Sequence, residues 1–303
     1  MRILLLVNAS ASAVTPRGRV VIAKALAADH DVTVAETSRR GHATRLAQGA
    51  AADGVDCVVV LGGDGTLNEA ANGLAGTRTA LGVLPGGSTN VFARTIGMTN
   101  DPIEATGELL GAIARDARRR IGLGSINGRY FLFHVGLGFD AAVVAQVERR
   151  SSLKRYAGHP LFIYAGFSTW FRHYDRSRPR FAIRHADGTV VDDAYLCIIQ
   201  KTNPYTYLGN RPLDIAPGVG FDSGLATLTF RSLGAVPLLG TLGRALLGGA
   251  IRSTRRVPLV IDQDRIEITG HGPFPYQVDG DFLGDIEHAV VLHEPAMLDL
   301  FLP

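Results

Sequence analysis

The chain has 303 residues, past the roughly 250–300 at which one hydrophobic core stops growing, so two domains are expected. With 46% hydrophobic and 19% charged residues it is no disordered chain, and its 36 glycines follow no collagen period. The net charge of +3 sets 31 Lys and Arg against 28 Asp and Glu, is carried almost wholly by arginine, and calls for no nucleic-acid partner.

The first hundred residues alternate strand, loop and helix. Strands are predicted at Ile3 to Val7, Val32 to Glu36, Val58 to Leu61 and Leu81 to Leu84, and helices at Val20 to Ala28, Ala43 to Ala52, Leu67 to Leu74 and Val91 to Arg94. Short apolar runs such as Cys57-Val58-Val59-Val60-Leu61 read as strands buried on both faces, which implies a parallel sheet with helices outside it. The opening run Met1 to Val7 has no small-residue cleavage pattern after it and reads as the first strand, not as a signal peptide. Cys57 and Cys197 both lie in apolar runs and read as buried free thiols of a reducing, cytoplasmic compartment.

From about residue 122 the signals become hairpins. Asn127-Gly128 and Asp187-Gly188 each separate two strand-like runs. Further strands are predicted at Leu196 to Gln200, Ala226 to Phe230, Val257 to Ile261, Ile266 to Thr269 and Val290 to His293. The expected architecture is an N-terminal Rossmann-like α/β domain over 1–122, to which 290–303 returns, and a mainly antiparallel β domain over 123–289. Two apolar segments interrupt the β pattern: an aromatic one from Phe162 to Tyr174 and a Leu/Gly/Ala one from Leu233 to Ile251. Both read as helices packed on the sheet, with a wall for a lipid tail as the alternative; the first is too short to span a membrane and the second contains Pro237 and Arg244.

The most informative stretch is Gly62-Gly63-Asp64-Gly65-Thr66-Leu67-Asn68-Glu69, which follows a buried strand and opens a helix. Glycines there let backbone N–H groups approach an anion, and the helix N-terminus adds positive partial charge. Thr66 and Glu69 have the spacing of a capping box, but capping alone does not require an aspartate bracketed by glycines. A second strand–glycine turn–helix follows at Leu84-Pro85-Gly86-Gly87-Ser88-Thr89-Asn90. In open α/β sheets ligands sit beyond the carboxyl ends of the strands, so both turns, Asn8 after the first strand and Thr37 after the second are expected to converge on one polyphosphate site. P-loop and protein-kinase signatures do not occur, and no cysteine–histidine metal spacing is present.

The two glycine loops, with Asn68-Glu69 and Phe92-Ala93-Arg94, resemble the diacylglycerol kinase catalytic family, which includes bacterial lipid kinases and sphingosine kinases. The resemblance extends to Thr37 with Gly41-His42-Ala43, to Gly138-Phe139-Asp140 and to Asp279-Gly280-Asp281. It implies an ATP-dependent lipid kinase with a nucleotide-binding α/β domain and a β-sandwich domain. The implied reaction moves the γ-phosphate of ATP, with Mg2+, to a lipid hydroxyl, foremost diacylglycerol. The alternatives are a kinase of a soluble acceptor such as NAD, or a nucleotide- or lipid-binding regulator without catalysis.

By the resemblance, Asn8, Thr37, Gly62, Gly63, Asp64, Gly65, Thr66, Leu67, Asn68, Gly87 and Ser88 bind ATP, with Ser88 where the family usually has threonine. Asp64, Asp279 and Asp281 are the catalytic candidates, Asp281 standing where the family has the glutamate proposed as proton acceptor. Asp140 either contacts the polar head of the substrate or caps the helix from Ala141 to Val147. The family's metal-bearing Asp-Gly-Leu appears as Asp222-Ser223-Gly224-Leu225, which leaves Asp222 and Leu225 as candidate metal ligands. The partners implied are a lipid at the inner face of the membrane and, for a self-associating form, a homodimer. Arg149, Arg150, Lys154 and Arg155, or Arg252, Arg255 and Arg256, either meet anionic headgroups or form ordinary solvated faces.

Overall fold

The computed structural model describes residues 1–149, 168–169, 174–248 and 251–303. The chain divides into two compact units, one of residues 1–123 with 295–303, the other of residues 124–294.

In the first unit, strands β1 (Arg2–Val7), β2 (Asp31–Glu36), β3 (Cys57–Gly62) and β4 (Ala80–Pro85) form a parallel sheet in the order β2-β1-β3-β4. Strands β3 and β4 are buried at every position, whereas edge strand β2 is half-buried or exposed throughout. Helices α1 (Pro16–Ala27), α2 (His42–Ala52) and α3 (Asp64–Leu74) are the crossovers, and α4 (Val91–Thr95) and α5 (Pro102–Ala114) follow β4. The sequence reading did not include α5. Its start is locally encoded, because Asp101 accepts from the N–H groups of Ile103 and Glu104 at 2.8 and 3.0 Å and Pro102 occupies the first turn.

The second unit is mainly antiparallel. Strand β5 (Arg118–Ile126), which begins in the first unit, turns through Asn127-Gly128, both at positive φ, into β6 (Arg129–Phe131), and β7 (His134–Gly138) leads into α6 (Phe139–Glu148). Then come β8 (Phe181–Arg184), β9 (Val190–Ala194), β10 (Leu196–Gln200), the small pair β11 (Thr206–Leu208) and β12 (Arg211–Leu213), β13 (Leu225–Phe230), helix α7 (Ala235–Leu246), β14 (Leu259–Gln263), β15 (Arg265–Val278) and β16 (Asp281–Phe301). The main order is β14-β13-β10-β7-β15-β16. The first part of β15 pairs with β8 and its last three residues with β7, and side chains of these strands meet in one core around Phe131, Phe181, Ile183 and Phe274. The last stretch of β16 belongs to the first unit, where Leu300 pairs in parallel with Leu81 of β4.

Most of the aromatic segment, Arg150, Lys154 and Arg155 lie outside the described residues. The Leu/Gly segment forms α7, and no helix among the described residues is long and apolar enough to cross a membrane. Cys57 and Cys197 are buried and free, and burial pushes both thiols up to about 12.

Candidate functional site

Register places the tips of the parallel strands side by side. Val7 pairs with both Glu36 and Leu61, and Gly62 pairs with Pro85, so Asn8, Thr37 and the two glycine turns leave the sheet at one edge. The turns are in backbone contact. Gly86 N–H donates to Gly62 O at 2.8 Å. A Cβ on Gly86 would stand 2.8 Å from Gly62 Cα, and one on Gly87 would stand 2.9 Å from Gly63 Cα. Glycine is therefore dictated by the close approach of one loop to the other.

Neighbouring loops close on this pair. Thr37 N–H donates to Val7 O at 2.9 Å, Asn8 Nδ2 to Thr66 Oγ1 at 2.9 Å, and Ala13 N–H to Gly86 O at 2.9 Å. The β1 loop thus folds onto the second glycine turn. Gly63, Asp64, Gly65 and Thr66 are all half-buried at the start of α3, whose first-turn N–H groups have no intrahelical acceptor. Leu67 is buried beside Val60, Val83 and Ala93 in the floor below the turns, Asn68 is buried with its amide oxygen held by Asn72, and Ser88 is exposed on the rim.

The capping box is not formed. The N-cap of α3 is Gly63, Thr66 is taken by Asn8, and the Glu69 carboxylate accepts from Gly41 and Ala43 N–H at 2.7 and 3.1 Å, which ties α3 to the start of α2. Asp64 likewise works at a distance in sequence: Oδ2 accepts from Val91 N–H at 3.0 Å and Oδ1 from Phe92 N–H at 3.1 Å, so it caps α4, whose N-terminus neither Ser88 nor Thr89 caps. Each acid fastens one loop to another.

In the second unit, Asp279-Gly280 is a two-residue turn with both φ positive, between the paired Val278 and Asp281. Asp279 is 4% exposed, and its carboxylate accepts the N–H groups of Leu132, Phe133 and His134 at 2.8, 3.0 and 3.0 Å. Its oxygens hold the β6–β7 connection. Asp281, the first residue of β16, is half-buried.

Asp140 does not cap its helix either; the N-cap of α6 is Gly138. Its carboxylate accepts from Tyr205 Oη at 2.5 Å and from Gln277 Nε2 at 2.8 Å, while Gln277 Oε1 accepts from Gly280 N–H at 2.8 Å. A buried chain of polar groups thus runs from Tyr205 through Asp140 and Gln277 to the turn before Asp281. Burial raises the Asp140 carboxyl above the usual carboxylate range, against the opposing pull of its two donors, and the same burial raises Tyr205. Gly136 must be glycine, since a Cβ there would overlap Asp140 Oδ2. Sequence reasoning missed Tyr205 and Gln277, whose positions carry no local signal.

Among the described residues no group of three or more His, Cys, Asp or Glu side chains is placed to hold a metal ion. At the loop expected to hold one, Asp222 is exposed and the Leu225 side chain lies in the core.

Known proteins similar to this chain include kinases. The diacylglycerol kinase of Bacillus subtilis (strain 168) is 38% identical over 149 residues, 48% of this chain and 47% of that protein. A diacylglycerol kinase of Staphylococcus aureus (strain Newman) is 26% identical over 279 residues, 91% of this chain and 84% of that protein. A crystal structure of a diacylglycerol kinase from Bacillus anthracis str. Sterne shares the fold, with a TM-score of 0.73, 22% identity and coverage of 100% of this chain and 97% of the other. The chain spans about half the length of the curated relatives that it matches at 33–38% identity. The diacylglycerol kinase catalytic domain model matches residues 2–126 of this chain, a span that includes both glycine turns.

Proposed function

We propose that the chain is an ATP-dependent lipid kinase that phosphorylates diacylglycerol to phosphatidic acid. The observation that carries the reading is the pair of glycine turns at neighbouring strand tips, held in backbone contact and free of side chains where they touch. Such a surface offers N–H groups to a polyphosphate, and the N-terminus of α3 adds its dipole. Phosphoryl transfer asks little covalent chemistry of a protein beyond positioning and charge stabilisation. Asp64 would be the acid of the first glycine turn available to a magnesium ion arriving with ATP, and such an ion would neutralise charge on the phosphates. The lipid hydroxyl oxygen attacks the γ-phosphorus, the bond from that phosphorus to the β,γ-bridging oxygen breaks, ADP leaves, and the hydroxyl proton passes to the Asp281 carboxylate. Asp279, Asp140 and Gln277 act as positioning residues for the turn that carries Asp281.

A lipid acceptor is supported by α7, which exposes Val236, Leu239 and Leu242, continued by Leu247 just beyond it, with exposed Arg252, Arg255 and Arg256 following. Exposed apolar side chains followed in sequence by exposed arginines suit an anionic bilayer surface.

The test is label transfer from γ-labelled MgATP to diacylglycerol in mixed micelles. Phosphatidic acid should carry the label, and Asp281→Ala should lower turnover on the order of 100-fold or more with ATP affinity kept, because a base acts mainly in the transition state. Gly87→Val should abolish ATP binding itself. Label in NADP when NAD is offered would move the assignment to a soluble acceptor. Saturable ATP binding with no transfer to either acceptor would make the chain a regulator.

A further inference from the structure

The loop expected from the resemblance to carry a metal is occupied by a lysine. Lys201 follows β10 directly, its N–H donates to Phe133 O at 2.8 Å, and the residue is 0% exposed. Its side chain runs to the 220–223 loop, where Nζ donates to Gly220 O at 2.9 Å, Phe221 O at 3.1 Å and Ser223 O at 2.7 Å. An ammonium has three donors and no acceptor, so three converging carbonyls satisfy it completely. Ser223, at the position of the family's ligand aspartate, turns its hydroxyl back onto the loop: Oγ accepts from Gly220 N–H at 2.9 Å and donates to Gly220 O at 3.1 Å.

This donor set does not fit magnesium. The ion demands a near-octahedral shell of oxygens, usually with one or two carboxylates. Here the nearest acid in sequence, Asp222, is exposed, and the carbonyls that point inward already receive N–H bonds. A divalent ion among them would also face the positive charge of Lys201 at short range. We propose that the Lys201 ammonium is a built-in replacement for a structural divalent cation, so that the 220–223 loop is held by the chain's own charge and folds without metal. The exchange is chemically coherent: a carboxylate ligand has become a neutral hydroxyl, and the cation's charge has moved onto a side chain.

Three measurements on the whole chain, made without nucleotide or lipid, test this separately from kinase activity. Elemental analysis of the purified protein should find no stoichiometric divalent cation, and its Tm should be the same in excess EDTA as in excess Mg2+ or Ca2+. One tightly held ion per chain, or a saturable rise in Tm with either ion, would overturn the proposal. Lys201→Ala leaves three carbonyls without their donor and should lower Tm by roughly 5 °C or more; an unchanged Tm would overturn it. Should that variant fail to fold, amine labelling of the native protein followed by mass spectrometry decides. Lys24 is exposed and should react, whereas Lys201 should react only after unfolding, with or without EDTA. Equal reactivity of the two lysines in the native state would remove the ammonium from the loop.

Discussion

At the scale of single residues, the acids that draw the eye in the sequence serve as anchors of backbone. Asp64 accepts from Val91 and Phe92 N–H, Glu69 from Gly41 and Ala43, and Asp279 from Leu132, Phe133 and His134, each a segment remote in sequence. A carboxylate spent in this way fixes a loop to within a hydrogen bond's tolerance. His134 gives this region a measurable acid sensitivity. The imidazole is buried against Phe133 and Tyr205, its Nδ1 has no hydrogen-bond partner, and burial lowers it to about 3. The unfolded chain binds this proton near 6.5 and the folded one near 3, so the unfolded state gains as pH falls through that window. Urea denaturation should show about 2–3 kcal/mol less stability at about pH 4.5 than at neutrality from this residue, and His134→Phe should remove that share. An identical acid loss in the variant would assign it to other groups. None of these roles is legible from sequence, because a capping box is a local pattern and the partners that won, such as Gly41 and Ala43 for Glu69, are brought up only by packing of α2 on α3.

At the scale of elements, legibility follows burial. The runs at β1, β3, β4 and β10 are recognisable because strands covered on both faces are unbroken apolar stretches. Strand β7 is hidden by its glycines, and both have a structural reason: Gly136 makes room for Asp140, and Gly138 has φ +70°. The convergence of the glycine turns was readable from their placement after adjacent strands, and the structure brings them into contact. Lys201 gave no sign, since Gln200-Lys201-Thr202 reads as the polar end of a strand. Helix α7 was readable as an apolar helix but not as one with an exposed apolar side. Leu239→Asp on that side should weaken sedimentation with phosphatidylglycerol vesicles about tenfold while leaving Tm within a degree or two, because Leu239 is 58% exposed and buries little on folding. Equal vesicle binding by the variant would detach α7 from the membrane.

For the whole molecule, connectivity matters as much as composition. The first unit is discontinuous, made of 1–123 and 295–303, with Leu298, Leu300 and Phe301 in its core. A fragment ending at residue 123 lacks those three side chains, whose burial contributes roughly 1.5–3 kcal/mol each, and should melt far below the intact chain or fail to fold. Adding 295–303 back as a fused segment should recover cooperative melting; a fragment as stable as the intact protein would show the returning strand to be dispensable.

The same returning strand sets an order of events during synthesis. Leu81 of β4 has no neighbour on its far side until Leu300 leaves the ribosome, more than two hundred residues later. Until then the nascent sheet carries an unpaired apolar edge, the kind of surface on which chaperones act and inclusion bodies grow. The yield of this protein in a fast-translating host should therefore depend on how that edge is sheltered before release.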